Sequence, residues 1–386
     1  MGRMSSQQPT LVVQITPAGR GAVASCLVSG PNAIGLVAPL LRLRNDRSLE
    51  TLHPGRIVVG QWRGSHPEEV VVTRRGADEV TIHCHGGQVP IATIMADLAA
   101  AGGEIVEWRQ WLGQSMADDP LAAEAVVALS QARTERCAGI LLDQYHGALR
   151  SELQALIQLL QGGYAELAHP RLVALLNWSP LGLHLDTPWQ VVICGAPNVG
   201  KSSLINALVG YGRAIVAPQP GTTRDVVSAS TAIDGWPIEL SDTAGIRAAA
   251  DPLEAAGIAI GRQRLATADL RLLVFDRSAS FGSDEQGLAA DWPDAMIVHN
   301  KSDLPPHEDP RPTRISVSAL TGEGIDKLLE AIAARLVPAV PPPQSPVPFT
   351  PRQVEAITAA AEQVQRKECE IGQSILKSVI DPYCKY

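Results

Sequence analysis

One stretch of the sequence limits the possible folds more than any other: residues 189–210 read "WQVVICGAPNVGKSSLINALVG". An apolar run typical of a strand leads into a G-x-x-x-x-G-K-S loop from Gly195 to Ser202, and a helix-forming run follows. In such a loop, backbone N–H groups and the helix N-terminus surround phosphate oxygens. Lys201 would reach the β- and γ-phosphates, and Ser202 would ligate Mg²⁺. The stretch therefore predicts a nucleotide-binding strand, loop and helix within parallel βαβ units.

Two further segments offer groups to the same phosphates and metal. In "PGTTRD", Thr223 would be a second hydroxyl ligand to Mg²⁺ on a mobile loop, although such a segment could also only turn. After an Asp-Gly hairpin, "PIELSDTAG" places Asp242 at the end of a strand, where its carboxylate would hold the metal through water. The N–H of Gly245 would then meet the γ-phosphate.

The segments "IVHNKSD" and "SVSAL" indicate which base is bound. Asp303 can accept hydrogen bonds from the N1–H and the 2-amino group of guanine, which adenine does not offer in that arrangement. Asn300 and Lys301 precede it, and Ser318 with Ala319 would supply a backbone contact to the base oxygen. The sequence therefore predicts GTP and excludes an ATPase.

Five elements in the right order and spacing predict a GTPase domain. The predicted nucleotide contacts are Asn198, Val199, Gly200, Lys201, Ser202, Ser203, Gly221, Thr222, Thr223, Asp242, Thr243, Ala244, Gly245, Asn300, Lys301, Asp303, Ser318 and Ala319. The predicted Mg²⁺ ligands are Ser202, Thr223 and Asp242.

The group that orients the attacking water is not the usual one. Ras-like GTPases use a glutamine near the D-x-x-G element, but here Ile246 occupies that position, and its alkyl side chain cannot position water. Arg247, Asp251 and Glu254 are the nearby alternatives. Arg224 and Arg247 could also act as an arginine finger or be solvated surface residues.

Changes in pattern along the chain predict a multidomain fold. Residues 1–115 mix short β-type runs with one helical stretch and indicate an α+β domain. Helical spacing over residues 116–186 and 350–386 indicates a discontinuous α-helical domain, whose last helix would run from about residue 351 to 380. An inserted α/β P-loop GTPase (Ras-like) domain would occupy residues 187–337, and a proline-rich linker residues 338–349.

Composition narrows the class of protein. With 386 residues and a net charge of −8, the chain is long enough for two or three domains, and it lacks the bulk positive charge that would hold nucleic acid. RNA binding would need a local basic patch or a partner. No apolar run has the length of a membrane span, and the six cysteines form no C-x-x-C pair. We expect a cytoplasmic protein with free thiols and no membrane association.

The G-domain motifs resemble those of the MnmE (TrmE) family of tRNA-modification GTPases. The similarity is strongest in "GAPNVGKSSLINAL", "AIVAPQPGTTRDVV" and "DTAGIRAAADPLEAAGI", and the order of domains agrees over nearly the whole chain. The resemblance implies an N-terminal domain that dimerises and binds a tetrahydrofolate derivative. It also implies GTP-driven modification of the wobble uridine of tRNA with the flavoprotein partner MnmG, which carries FAD.

The resemblance further implies that K⁺ replaces an arginine finger when two G-domains meet face to face. The K⁺ ligands would be the Asn198 side chain, Thr222 and the backbone oxygens of Ala217 and Gln219. Glu254 would orient the attacking water through a second water and would act in catalysis beside Lys201.

Three positions depart from the family near the implied folate site. The family's arginine falls on Leu27, its glutamate on Thr81, and its lysine on Ala117 in a shortened stretch. These side chains supply no charge, so folate binding is in doubt. The chain would then be a regulatory or assembly GTPase that has lost folate-dependent modification, which is the alternative function.

Two further features leave alternatives open. The family ends in F-C-I-G-K, with a cysteine required for tRNA modification, whereas this chain ends in "YCKY". Cys384 would be either a catalytic thiol, favoured as thiolate by Lys385, or a remnant. In "TIHCHGG", alternation places His83 and His85 on one strand face, as a metal site or as ordinary strand residues.

Overall fold

The computed structural model describes residues 9–17, 19, 21–44, 48–211, 228–242, 265–309 and 315–381. The chain divides into two units, residues 1–117 and residues 118–386. Within the described ranges, no helix combines the length and apolar character needed to cross a membrane.

The first unit is built on a seven-stranded sheet. Its strands are β1 (Leu11–Gln14), β2 (Val23–Ser29), β3 (Leu41–Leu43), β4 (Ile57–Trp62), β5 (Glu68–Arg74), β6 (Glu79–His85) and β7 (Glu104–Ile105). Their order across the sheet is β3-β4-β5-β6-β2-β1-β7. Only the pair β1 and β7 is parallel; the other neighbours are antiparallel. Because side chains alternate along each strand, the sheet has two distinct faces.

Three helices accompany this sheet: α1 (Ala33–Val37), α2 (Gln88–Ala100) and α3 (Trp108–Ser115). Helix α2 buries Ile91, Ile94 and Leu98, which lie three or four residues apart and therefore share one helix face. These residues pack in a core with Val12, Cys26 and other alternate residues of the strands. Trp108 and Trp111 of α3 pack instead with Leu27, so α3 belongs to a second, smaller core.

The second unit combines helices with a six-stranded sheet. Its helices are α4 (Pro120–Leu129), α5 (Glu135–Tyr145), α6 (Ala148–Gln161), α7 (Ala165–Leu176), α8 (Ser179–Gly182), α9 (Lys201–Tyr211), α10 (Ser283–Asp291), α11 (Ile325–Leu336), α12 (Pro351–Gln365) and α13 (Cys369–Ile380). Its strands are β8 (Trp189–Cys194), β9 (Ser228–Ile233), β10 (Trp236–Asp242), β11 (Leu270–Asp276), β12 (Met296–Asn300) and β13 (Ile315–Ser316).

The C-terminal segment forms two helices, so the prediction of one helix from Pro351 to Ile380 was wrong. Lys367 between them has φ 68, a left-handed conformation that ends α12. The reversal lets α13 pack on α12 and on α6, while α12 packs on α7. Helical periodicity continues through the break, because both helices bury an apolar face.

The six-stranded sheet positions the nucleotide motifs. Its order is β13-β12-β11-β8-β10-β9, and only β9 is antiparallel to its neighbour. The phosphate loop follows β8, Asp242 ends β10, and Asn300 ends β12. Ligands of open parallel sheets bind at the carboxyl ends of the strands. The motifs are far apart in sequence, but they meet at one edge of this sheet.

The predicted Asp-Gly hairpin is confirmed at the opposite end of β9 and β10. Asp234 has φ 48 and Gly235 has φ 75, as a two-residue turn between strands requires. Arg136 of α5 donates hydrogen bonds to the two carboxylate oxygens of Asp234 at 2.9 and 3.3 Å. Its guanidinium carbon also lies 5.1 Å from the centre of the Trp236 ring. Arg136 therefore connects helix α5 to the hairpin.

Candidate nucleotide site

The phosphate loop has little room for side chains. A Cβ on Gly195 would lie 2.2 Å from the carbonyl oxygen of Val274, and one on Gly200 would lie 2.3 Å from Nδ2 of Asn300. Asn198 and Gly200 also have positive φ values of 66 and 92. Glycine is therefore required at positions 195 and 200, because a Cβ there would collide with the Val274 carbonyl oxygen or with the buried Asn300 side chain.

Lys201 is the first residue of α9, and its side chain folds back over the loop. The Nζ donates hydrogen bonds to the carbonyl oxygens of Gly195 at 3.1 Å and Ala196 at 2.8 Å. The residue is 6 % exposed. The ammonium group is thus held at the loop, where the motif places the β- and γ-phosphates.

Two of the predicted Mg²⁺ ligands are in contact. Ser202 Oγ donates a hydrogen bond of 3.2 Å to Asp242 Oδ2. Asp242 is 3 % exposed and lies at the end of β10, which pairs in parallel with β8. A hydroxyl and a carboxylate are oxygen ligands suited to Mg²⁺.

Asn300 links the phosphate loop to the segment that contains Ser318. Its Nδ2 donates to the carbonyl oxygen of Val199 at 2.8 Å, and its Oδ1 accepts from the backbone N–H of Ala319 at 3.0 Å. Asn300 is 2 % exposed. One amide side chain therefore satisfies two backbone groups from loops more than a hundred residues apart.

The predicted base-reading carboxylate is oriented by Ser318. The Ser318 hydroxyl donates to Asp303 Oδ1 at 2.5 Å, and Ser318 is fully buried. A cavity of about 680 Å³ opens beside Asp303. Its lining is shared by α9 and the two base-reading segments, and comprises Gly200, Ser203, Asn206, Ala207, Asn300, Lys301, Asp303, Leu304, Ala319 and Leu320.

Asp276 is a site residue that the motifs do not include. Its Oδ2 accepts a 2.6 Å hydrogen bond from Lys301 Nζ, and its Oδ1 accepts from the hydroxyl of Ser278 at 2.6 Å. Burial raises the pKa of Asp276, but the hydrogen bonds from Lys301 and Ser278 outweigh it and lower the pKa. Only one sign in the sequence indicates that Asp276 belongs to the site, which is its position at the end of an apolar run typical of a strand.

Part of the predicted site lies outside the described residues. The nucleotide and Mg²⁺ contacts concerned are Gly221, Thr222, Thr223, Thr243, Ala244 and Gly245. The same holds for the remaining K⁺ ligands Ala217 and Gln219, for the three alternatives Arg247, Asp251 and Glu254, and for Cys384.

In the first unit, Leu27 and Thr81 are cross-strand partners on β2 and β6, and neither is exposed to solvent. Ala117 is exposed in the turn after α3. The two histidines of "TIHCHGG" have separate partners: His83 Nδ1 lies 2.7 Å from Ser25 Oγ, and His85 Nδ1 lies 2.5 Å from Glu68 Oε1. Among the described residues, no group of three or more His, Cys, Asp or Glu side chains could hold a metal ion.

The α/β sheet, the phosphate loop and the base-reading segments define a P-loop GTPase that takes GTP and Mg²⁺. A profile of the family described as "50S ribosome-binding GTPase" matches residues 190–301. The chain is 31 % identical to the tRNA modification GTPase MnmE of Symbiobacterium thermophilum, over 95 % of this chain and 91 % of that protein. It is 33 % identical to the same-named protein of Thermus thermophilus, over 91 % and 87 % of the two chains. The chain therefore belongs to the tRNA modification GTPase MnmE family, and it is a GTP hydrolase.

Among solved structures, the chain is similar to Era of Aquifex aeolicus bound to GDP.AlF4−. The two share 27 % identity over 45 % of this chain and 65 % of that chain, with a TM-score of 0.31.

Proposed function

We propose that this GTPase drives modification of the wobble uridine of tRNA. The relatives that match nearly the whole chain carry the name tRNA modification GTPase, which supports this assignment over a purely regulatory role. That similarity carries the tRNA assignment, and the buried Asn300 network supports its GTP-dependent part, because it links the phosphate loop to the segment predicted to read guanine.

The proposed assembly also rests on the similarity to the MnmE proteins. The protein acts in the cytoplasm as a homodimer through residues 1–115, with tRNA as substrate and an MnmG-type flavoprotein as partner. Residues 116–186 with 350–386 form the helical domain, residues 187–337 the GTPase domain, and residues 338–349 the linker. GTP-dependent pairing of two GTPase domains would move the helical domain and thereby the tRNA site.

The proposed hydrolysis mechanism uses K⁺ and Glu254. Asn198, Thr222 and the backbone oxygens of Ala217 and Gln219 would hold K⁺, whose charge would offset negative charge that develops on the phosphates during hydrolysis. Glu254 orients the water whose oxygen attacks the γ-phosphorus while the bond to the β-phosphate oxygen breaks. Ile246 cannot take that role, because it offers no hydrogen-bonding atom.

GTP turnover in K⁺ and in Na⁺ at equal ionic strength tests this mechanism. We expect faster turnover in K⁺, and we expect Glu254→Ala to abolish hydrolysis while GTP binding persists. Asp251→Ala is the matched control, since it removes a nearby carboxylate and should leave turnover in place. Equal rates in the two salts would exclude K⁺ activation, and loss of turnover only in Asp251→Ala would transfer the role to that residue.

Analysis of wobble uridines in cells that lack the gene tests the biological assignment. The modification should disappear and return with the wild-type gene, but not with Lys201→Ala. Cys384→Ser should restore GTP hydrolysis without the modification, because we propose the thiol as a catalytic group of the tRNA reaction. Normal wobble uridines in the deletion strain would favour the regulatory alternative.

A further inference from the structure

One face of the first sheet carries two of the three positions that depart from the family near the implied folate. Val13 of β1 pairs with Leu27 of β2, and Leu27 pairs with Thr81 of β6. Residues paired across antiparallel strands point to the same face. All three side chains have no exposed surface. The family's charged positions are therefore occupied by side chains packed together.

Helix α3 packs with this face. Trp108 and Trp111 contact a small core of Leu11, Val13, Leu27 and Val106, whose most exposed member, Leu11, is 8 % exposed. Both tryptophans are half-buried. Removal of this apolar surface from water stabilises the packed arrangement. A ligand at Leu27 would have to displace this packing first.

A reduced folate needs charged partners, and the two described residues that replace the family's arginine and glutamate, Leu27 and Thr81, carry no charge. Its pterin ring carries several hydrogen-bonding atoms, and its glutamate carries two carboxylates, so burial requires donors or cations. Among the described residues, the Thr81 hydroxyl is buried without a hydrogen-bond partner, and the Ser25 hydroxyl is already 2.7 Å from His83 Nδ1. Burial, and secondarily the charge of Arg75, lowers the pKa of His83, so this imidazole is neutral at pH 7.

We propose that this sheet face is closed by α3 and binds no reduced folate, unlike the site that the family resemblance implies. Leu27, Thr81 and the two tryptophans fill it as a permanent part of the first unit. The inference concerns the first unit and does not depend on the proposed K⁺-dependent hydrolysis.

Titration calorimetry of the full chain with 5-formyltetrahydrofolate tests the proposal. We expect no saturable heat up to about 1 mM ligand, which is the range of the weakest specific binding. GDP titrated into the same sample should give saturable heat, which verifies that the second unit is folded, and a circular-dichroism melt of the same sample should verify the fold of the first unit. Saturable folate binding by the wild-type chain would overturn the proposal, whereas failure of K⁺ activation would leave it unaffected.

A pair of arginine substitutions on β2 tests closure by packing. Leu27→Arg places a charge in the closed core and should lower the melting temperature of the first unit by about 5 °C or more. Val23→Arg is the matched control, because Val23 lies on the same face but is 56 % exposed, and it should leave the melting temperature unchanged. A Leu27→Arg variant that fails to fold agrees with closure. A Leu27→Arg variant with unchanged melting temperature would overturn it.

Discussion

Substitution of Asn300 by alanine tests whether one side chain holds the two halves of the nucleotide site together. The wild-type amide satisfies the Val199 carbonyl at 2.8 Å and the Ala319 N–H at 3.0 Å. Alanine leaves the Val199 carbonyl and the Ala319 N–H without this partner. The site is buried, since Asn300 itself is 2 % exposed. Each orphaned buried group costs about 1–3 kcal/mol. Water that enters the adjacent cavity would recover part of this cost, so we expect a net loss of about 2 kcal/mol.

The loss should be visible in nucleotide binding, because the two segments that separate are those that surround the nucleotide. If the separated arrangement cannot bind nucleotide, a change of 2 kcal/mol sets an upper limit of roughly 30-fold weaker GDP binding, which titration with a fluorescent GDP analogue would measure. Asn177→Ala is the matched control, since Asn177 is an exposed residue at the end of α7. GDP affinity within about threefold of wild type, together with an unchanged melting temperature, would refute the reasoning.

Two further predictions concern ion pairs in the second unit. The Arg136 and Asp234 side chains are 37 % and 58 % exposed, so their ion pair is only partly shielded from solvent. A double-mutant cycle with alanine at both positions should give a coupling energy of about 0.5–1 kcal/mol. Additive effects of the two substitutions would exclude the link between α5 and the hairpin. Asp276 has a lowered pKa in the folded protein, so its contribution to stability is present above the unfolded pKa of about 4 and is lost as the pH falls through the folded pKa. Asp276→Asn should therefore lower the free energy of unfolding at pH 7 by about 1–2 kcal/mol. The difference in unfolding free energy between the variant and wild type should shrink on acidification below about pH 4. Urea melts that give the same difference at every pH would contradict this prediction.

The sequence was most informative where chemistry depends on short contiguous segments. The strand, loop and helix around Gly195 to Ser202 were predictable, because the motif specifies both backbone geometry and side chains. The Asp234–Gly235 turn was predictable for the same reason, since few residues adopt positive φ at both positions.

Contacts between distant segments were not predictable in this way. The Asp276–Lys301 pair depends on β11 and β12 being neighbours, and the sequence alone did not provide their register. The reversal at Lys367 was hidden, because both flanking helices continue the same apolar periodicity. Leu27 and Thr81 were recognisable as departures from a family, but the burial of both residues depends on strand pairing, and that of Leu27 depends also on packing with α3.

The two halves of the nucleotide site differ in how far they are formed before the nucleotide arrives. On the base side, Asp303, Asn300 and Lys301 already have their polar partners in Ser318, Val199 and Asp276. If these residues read the base as the motifs predict, guanine should bind with little reorganisation of their side chains. On the phosphate side, Lys201 Nζ donates to two loop carbonyls. We expect a bound phosphate to take over this ammonium group, because a full negative charge attracts it more strongly than the partial charge of a carbonyl oxygen does. The exchange would favour the bound state, so we expect Lys201 to respond to phosphate and Asp303 to respond to the base.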